Sequence, residues 1–539
     1  MEVEKILHTV ANEIKSFYYQ PNLRHVDDYE LEDFATSYGI RTQHGNLAFS
    51  SGVRCSSLPL TVIIGGKEVT QKNLNPSQIE ILKNLPSTLV KVHHYARKVP
   101  FACVERKMCN NEDFNFHCTL FTSLHKKDSI RLSFMWGQSL FNLSPKRGLK
   151  LHLVCIPEWP AEQRQTIVFP EIGVTYVLGS DYFDEIRKGF LRMAMWFAKT
   201  NGILALHAGA KLVTCSDERD KKIKNLGALF VGPSGTGKTT HSADNLTLNG
   251  KGEKVRIVQD DVVLIRKNSQ ILGTEKVFWV RTDELDSHLQ PLLWRAVLNR
   301  KTNLENVIVD HQGRLDFQDF TLTNNGRALV QIQDLGQQAN EDINLPSMDK
   351  LDGFKIFIMA KLNTVVPPVC KLEPHQAVAL FMLGESVSGE RGDAQIVRTP
   401  ASNPYLIGNA EEEAERLLNF IENNKEKIEI YLINTGSVGE SPNKEGGKKR
   451  KSRPKRIEIQ DFPSICKAIF RGNIKWEKSR YWQILVPKTI EGVNLDKYKL
   501  ENFYSPDKIK ESISKLRMER QKYLRSFPKL PACIKKAVI

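Results

Sequence analysis

The segment Gly232-Pro233-Ser234-Gly235-Thr236-Gly237-Lys238-Thr239-Thr240, set directly after the apolar run GALFV, constrains the fold more than any other feature of the chain. It is a full G-x-x-x-x-G-K-[ST] match in the strand-to-helix context that such a loop requires. Glycines there let successive backbone N–H groups turn toward phosphate oxygens, and the following helix adds the positive end of its dipole. Lys238 is expected to balance charge on the β- and γ-phosphates, and Thr239 to hold Mg²⁺ through its hydroxyl. A glycine turn that happens to precede a helix is the competing reading, and the buried strand before the loop argues against it. This half of the chain is therefore expected to be an α/β sheet that binds a nucleotide.

About twenty residues on, RIVQDDVVLI places Asp260 and Asp261 inside an apolar run. Two adjacent carboxylates are costly to bury without a metal or hydrogen bonds. The alternative is a solvent-exposed turn between two short strands. Their position after the phosphate loop favours a metal.

Around this motif the chain divides in composition. Up to about Leu212, short apolar runs such as LPLTVIIG, KLHLVCI and GVTYVLG alternate with polar turns, which predicts a mixed sheet with a few helices. Ile186, Phe190, Met193 and Phe197 recur at helical spacing over 182–199, with Asn201-Gly202 as the stop. Downstream, RIVQDDVVLI, KVFWV, ENVIVD, FKIFIMA and IEIYLIN read as buried strands among helices and turns. The expected organisation is an N-terminal lobe over 1–220 and a C-terminal P-loop lobe over 221–539. A Gly-, Ser-, Pro- and Lys-rich excursion lies at about 437–454. A charged helix near the end, SPDKIKESISKLRMERQKYLRSF, can dock through Ile509, Ile513, Leu516, Tyr523 and Leu524.

Composition excludes several classes. No apolar stretch approaches the length of a membrane span, and the opening MEVEKILHTVANEIKSFYY lacks the basic, apolar, small-residue order of a secretion signal. It reads as an amphipathic helix of a cytoplasmic protein. Nine cysteines are scattered without any C-x-x-C pair, so neither a disulfide framework nor a zinc knuckle is indicated. The net charge of +15 raises the question of nucleic acid, yet seven basic residues fall within 448–456. With no interleaved aromatics for base stacking, that run reads as a solvated loop, and no nucleic-acid partner is expected.

Four separated blocks resemble the ATP-type phosphoenolpyruvate carboxykinase family, particularly its shorter, archaeal-like branch. They are LGSDYFDEIRKGF with GILALHAG; FVGPSGTGKTTHSADN with QDD; NLENVIVDHQGRLDFQDFTLTNNGRALVQI; and VVPPVCKLEPHQAVALFMLGES with GERG, NPYLIG, YLINTGSVG and PKRIEI. The resemblance runs from about Arg54 to the C-terminus. It implies a two-lobed α/β fold, a mixed-sheet N-terminal lobe and a P-loop in the C-terminal one. It also implies a carboxy-lyase that converts oxaloacetate and ATP to phosphoenolpyruvate, CO₂ and ADP, a gluconeogenic type of step, with Mn²⁺ and Mg²⁺.

By the same resemblance Tyr182 lines the substrate site, and Arg54, in SSGVRCSS, clamps a carboxylate. Lys188, His207 and Asp261 hold the catalytic Mn²⁺. Arg281 and Glu305 lie near the nucleotide, Arg327 contacts phosphate, and Arg456 with Ile457 flanks the adenine. Ser234 is where the GTP-type branch usually differs. Val262, Val263 and Phe462 stand where the family usually has glutamate, histidine and threonine, which predicts reshaped nucleotide contacts. A lysine ligand must be neutral, and Arg187 beside Lys188 is expected to favour that.

Two other functions fit parts of the pattern. A serine kinase of the related HPr-kinase-like group would keep the P-loop but need a base near its acceptor hydroxyl. A nucleotide-gated polyanion-binding protein would use the basic run at 448–456.

Overall fold

The structure is a computed structural model and describes residues 3–69, 71, 73–146, 148–388, 395–439 and 454–539. The GERG block and nearly all of the basic excursion lie outside the described residues. Two compact units interleave along the sequence. The first comprises 1–201, 274–287 and 293–335; the second comprises 202–273, 288–292 and 336–539. Residues 274–287 and 293–335 thus follow the expected boundary at 220 in sequence and pack within the first unit.

The first unit is built on a seven-stranded mixed sheet in the order Leu23–His25, Phe101–Met108, Phe116–Ser123, Leu149–Ile156, Val174–Leu178, Gln165–Phe169, Thr61–Ile63. Helix Val3–Phe17 buries Ile6, Val10, Ile14 and Phe17, the amphipathic stripe legible in the sequence. That stripe and helix Pro76–Ala96 share one core with the sheet residues Phe101, Phe121, Val154 and Ile167. A smaller sheet in the same unit joins Val277–Arg281, Arg327–Gln331, Asn303–Glu305 and Leu47–Phe49. The ENVIVD segment is split, Glu305 closing strand Asn303–Glu305 and Ile308–Val309 forming a separate two-residue strand.

Helix Phe183–Thr200 starts after Tyr182 and ends at Asn201, as its periodicity and the Asn-Gly stop predict. It is buried on nearly every side, because Asp184, Glu185, Arg187 and Arg192 are enclosed along with its apolar residues.

The second unit is organised by a ten-stranded sheet. Its centre is parallel: Ile223–Val231 pairs with Gly353–Ala360, which pairs with Ile428–Asn434. Leu204–Ser216 and Val369–Leu372 flank this centre in antiparallel register. Alternation sends Leu229, Val231, Ile356 and Ile358 to one core and Ala228, Phe230, Phe357 and Met359 to another, so both faces are covered. The SDERDKKIKN segment forms the turn between Leu204–Ser216 and Ile223–Val231. The late charged helix, Pro506–Arg525, buries Ile509, Ile513, Leu516 and Leu524. Among the described residues no helix is long and apolar enough to cross a membrane, and all nine cysteines are free.

Candidate active site

The phosphate loop begins where strand Ile223–Val231 ends, at the C-terminal edge of the parallel strands, where open α/β sheets bind ligands. Gly235 and Gly237 take φ of 79° and 85°, a left-handed backbone that disfavours side chains. Gly232 is needed for a different reason: a Cβ there would lie 2.7 Å from the Met359 carbonyl. Thr236 Oγ1 donates to the Pro233 carbonyl at 2.8 Å, and Lys238 Nζ donates to the same oxygen at 3.2 Å. Thr435 Oγ1 donates to the Thr236 carbonyl at 3.1 Å, and Gln290 Nε2 to Thr240 Oγ1 at 3.0 Å. The loop, from Gly232 through Ser234 to Thr239 and Thr240, is thus braced from two other segments. The helix that follows is only Lys238–Ser242.

Asp260 and Asp261 occupy the corner between strands Lys254–Gln259 and Val262–Ile265, both paired with Leu204–Ser216. The sequence left a metal pair and a strand-to-strand turn as alternatives, and the residues form the turn while Asp261 still meets a histidine. Asp261 Oδ1 lies 2.9 Å from His207 Nε2. Asp260 is buried, its amide donating to Gln259 Oε1 at 2.9 Å.

His207 Nδ1 lies 3.2 Å from the Ser402 carbonyl, an acceptor, so Nδ1 carries the proton. Burial, and then Lys238, push His207 toward its neutral form. With Nδ1 protonated, Nε2 and the Asp261 carboxylate face each other at 2.9 Å, a contact that a shared proton satisfies and that a divalent cation could replace. Imidazole and carboxylate suit a divalent metal. Among the described residues, no three His, Cys, Asp or Glu side chains converge to hold one.

Arg456 is exposed at the end of a two-residue strand paired with Ser437–Val438, and Ile457 packs with Val438 and Tyr498. Phe462 is buried and stacks on His241, ring centroids 3.5 Å apart. Val262 and Val263 are buried strand residues. An apolar strand and an aromatic stack therefore occupy the three positions that depart from the family pattern.

In the first unit, three acceptor side chains set the SSGVRCSS loop. Asp181 accepts the Gly52 and Val53 amides at 2.8 and 2.9 Å, Glu185 the Ser57 amide at 2.7 Å, and Asn306 the Ser51 amide at 2.8 Å. Burial works against the Asp181 carboxylate, but the Val53 and Gly52 amides and Arg131 outweigh it and hold the group below the usual carboxylate range. Arg54 Nη1 donates to the Leu322 carbonyl at 3.1 Å.

Asn325, which the sequence did not single out, gathers three expected site residues. Its Nδ2 donates to the Arg54 carbonyl and to Tyr182 Oη, each at 2.9 Å, while its Oδ1 accepts from Arg327 Nε at 3.0 Å. The only local signal was its place two residues before Arg327. Burial pushes the Tyr182 hydroxyl up to about 12, so it stays protonated. Arg281 is forked onto Asp283, with Nε to Oδ1 at 3.0 Å.

Lys188 Nζ pairs with Asp184 at 2.5 Å. Arg187 is held by Glu275, with Nε to Oε1 at 3.0 Å and Nη2 to Oε2 at 2.6 Å, and its Nη1 lies 3.6 Å from the same Asp184. Glu305 is fully buried, its Oε1 accepting from Arg131 at 3.0 Å and from the Phe183 amide at 3.1 Å. It anchors the start of helix Phe183–Thr200 and has no exposed surface from which to touch a nucleotide.

These features define a mixed α/β protein in which Lys238 of the G-x-x-x-x-G-K-[ST] loop lies near the His207–Asp261 pair. The sequence model of the family described as phosphoenolpyruvate carboxykinase matches residues 30–496. A phosphoenolpyruvate carboxykinase (ATP) of Aeropyrum pernix is 33% identical over 450 residues, covering 82% of this chain and 84% of that protein. Another, from Staphylococcus haemolyticus, is 29% identical over 296 residues, 53% of this chain and 51% of that one. This chain belongs to the phosphoenolpyruvate carboxykinase family.

Proposed function

We propose that the chain is an ATP-dependent phosphoenolpyruvate carboxykinase, a carboxy-lyase that converts oxaloacetate and ATP to phosphoenolpyruvate, CO₂ and ADP. The observation that carries this is the His207–Asp261 pair beside Lys238: a phosphate loop adjoining a pair of metal-type donors. The first unit would take the dicarboxylate and the second the nucleotide. Arg54 and Arg327 offer forked, permanently charged donors to carboxylate and phosphoryl oxygens. Lys238 and the loop amides would bind the triphosphate, with Mg²⁺ at Thr239.

His207 and Asp261 would hold a divalent cation, taken to be Mn²⁺, which when bound would supply Lewis acidity for the charge that develops as CO₂ departs. Decarboxylation itself generates the enolate oxygen that accepts the phosphoryl group, so no separate base is required. Lys188 enters only by resemblance, and to bind a cation it would have to leave Asp184. Family membership disfavours the serine-kinase and polyanion-binding alternatives. A cytoplasmic location is part of the proposal.

The deciding experiment follows phosphoenolpyruvate directly from oxaloacetate, ATP, Mn²⁺ and Mg²⁺ in wild type, H207A and K238A. Product in wild type that is lost in both variants supports the reading. ATP binding without product under any metal rejects it in favour of another phosphoryl acceptor.

A further inference from the structure

Lys211 lies in strand Leu204–Ser216, four residues past His207, and is fully buried. Its Nζ donates to the His241 carbonyl at 2.6 Å and to the Asp244 carbonyl at 2.8 Å, and the ammonium sits 5.0 Å from the centre of the Phe230 ring. Those carbonyls close the five-residue helix that Lys238 begins. So short a helix does not hold itself, because nucleation fixes several dihedrals for each hydrogen bond formed. Here the segment has His241 N to Gly237 O and Ala243 N to Thr239 O, each 3.0 Å, before the chain turns through left-handed Leu246 and Thr247. An ammonium at the C-terminal end satisfies carbonyls that the helix leaves orphaned and complements the negative end of its dipole.

This placement is costly. Burial pushes the Lys211 ammonium down to about 8, with Asp244 and Cys466 acting in the opposite direction. Burial also pushes neighbouring His241 down to about 3, so that ring is neutral. An apolar side chain would avoid desolvating a charge but would leave the His241 and Asp244 carbonyls without this donor. The lysine therefore offsets its own desolvation by capping those two carbonyls, and the segment it caps is the one that carries the phosphate loop.

We infer that Lys211 is a positioning residue for phosphate binding: by gripping the His241 and Asp244 carbonyls it fixes the Lys238–Ser242 helix, so that Lys238 and Thr239 are set in place before the nucleotide arrives. The inference rests on ATP being the nucleotide. It is tested on the full chain by calorimetric binding of ATP and adenosine together with steady-state kinetics. K211M is expected to bind ATP about tenfold or more weakly and to raise the KM for ATP. Adenosine affinity and the KM for oxaloacetate should be unchanged in the folded variant.

K211R, which keeps the donors, should recover most of the ATP affinity. Wild-type ATP affinity in folded K211M overturns the inference, as does equal weakening for ATP and adenosine. Should K211M not fold, K211Q, which keeps a shorter donor, is read by the same criteria. Wild-type protein that binds no ATP fails the proposed function itself, a result distinct from K211M retaining full affinity.

Discussion

His207 Nε2 faces Asp261 Oδ1 across 2.9 Å while Nδ1–H is held by the Ser402 carbonyl at 3.2 Å. The backbone contact selects the tautomer, and the strand pairing of Leu204–Ala205-Leu206-His207 with Val262–Ile265 brings the carboxylate opposite. Second partners of this kind commonly fix a metal-binding histidine in one orientation.

H207Q and D261N should each weaken Mn²⁺ binding by more than about 100-fold, since even outer-shell partners are worth 10- to 100-fold. Their melting temperatures should stay near that of wild type. Titration of Mn²⁺ by electron paramagnetic resonance checks this, and unchanged Mn²⁺ affinity in both variants would remove the pair from the metal site.

N325A removes the shared support of Arg54, Tyr182 and Arg327. With three hydrogen bonds lost, the expected destabilisation is about 1–3 kcal/mol, at roughly 1 kcal/mol or less each. The KM for oxaloacetate should rise at least tenfold, on the order of 1.4 kcal/mol, while ATP affinity is retained. Paired kinetics and denaturant melts read the two effects separately. A rise in the KM for ATP alone would place Asn325 elsewhere in function.

R187M leaves Glu275 and Asp184 as buried carboxylates without their guanidinium. Breaking one side of a buried ion pair costs about 3–5 kcal/mol, and urea unfolding should show it as a lower midpoint at unchanged slope. The double variant R187M/E275Q should recover a large part of the loss, because it removes one of the stranded charges.

Glu305 carries a pH dependence of known sign. Burial raises its carboxyl to about 7, against Arg131 and the Phe183 amide. A carboxyl raised on folding is protonated in the native state between its unfolded value, near 4.5, and about 7. Its contribution is therefore fully present below the unfolded value and is lost as pH rises through 7. The loss is bounded at about 3 kcal/mol. The stability difference between E305Q and wild type, followed by urea unfolding from pH 4.5 to 8, should shift in favour of E305Q as pH rises. A flat difference would show Glu305 ionised throughout.

The sequence by itself determined whatever is written in neighbouring residues. The phosphate loop was legible because nine consecutive residues supply its glycines, lysine and threonines. Helix Phe183–Thr200 was legible because its periodicity and Asn201-Gly202 stop are local, and the mixed and α/β sheets followed from runs of alternating or continuous apolar residues. Family resemblance then named Arg54, Tyr182, His207, Asp261 and Arg327 by motif.

Only the tertiary structure decided which of these meet. Strand register put Asp261 opposite His207, packing set Arg187 on Glu275, and burial closed off Glu305. Asn325 and Lys211 emerged only from the fold, since each acts on partners as far as 271 and 33 residues away in sequence. A hydrogen bond or desolvated charge depends on distances of a few ångströms, and chain separation carries no record of those until sheets and helices have packed.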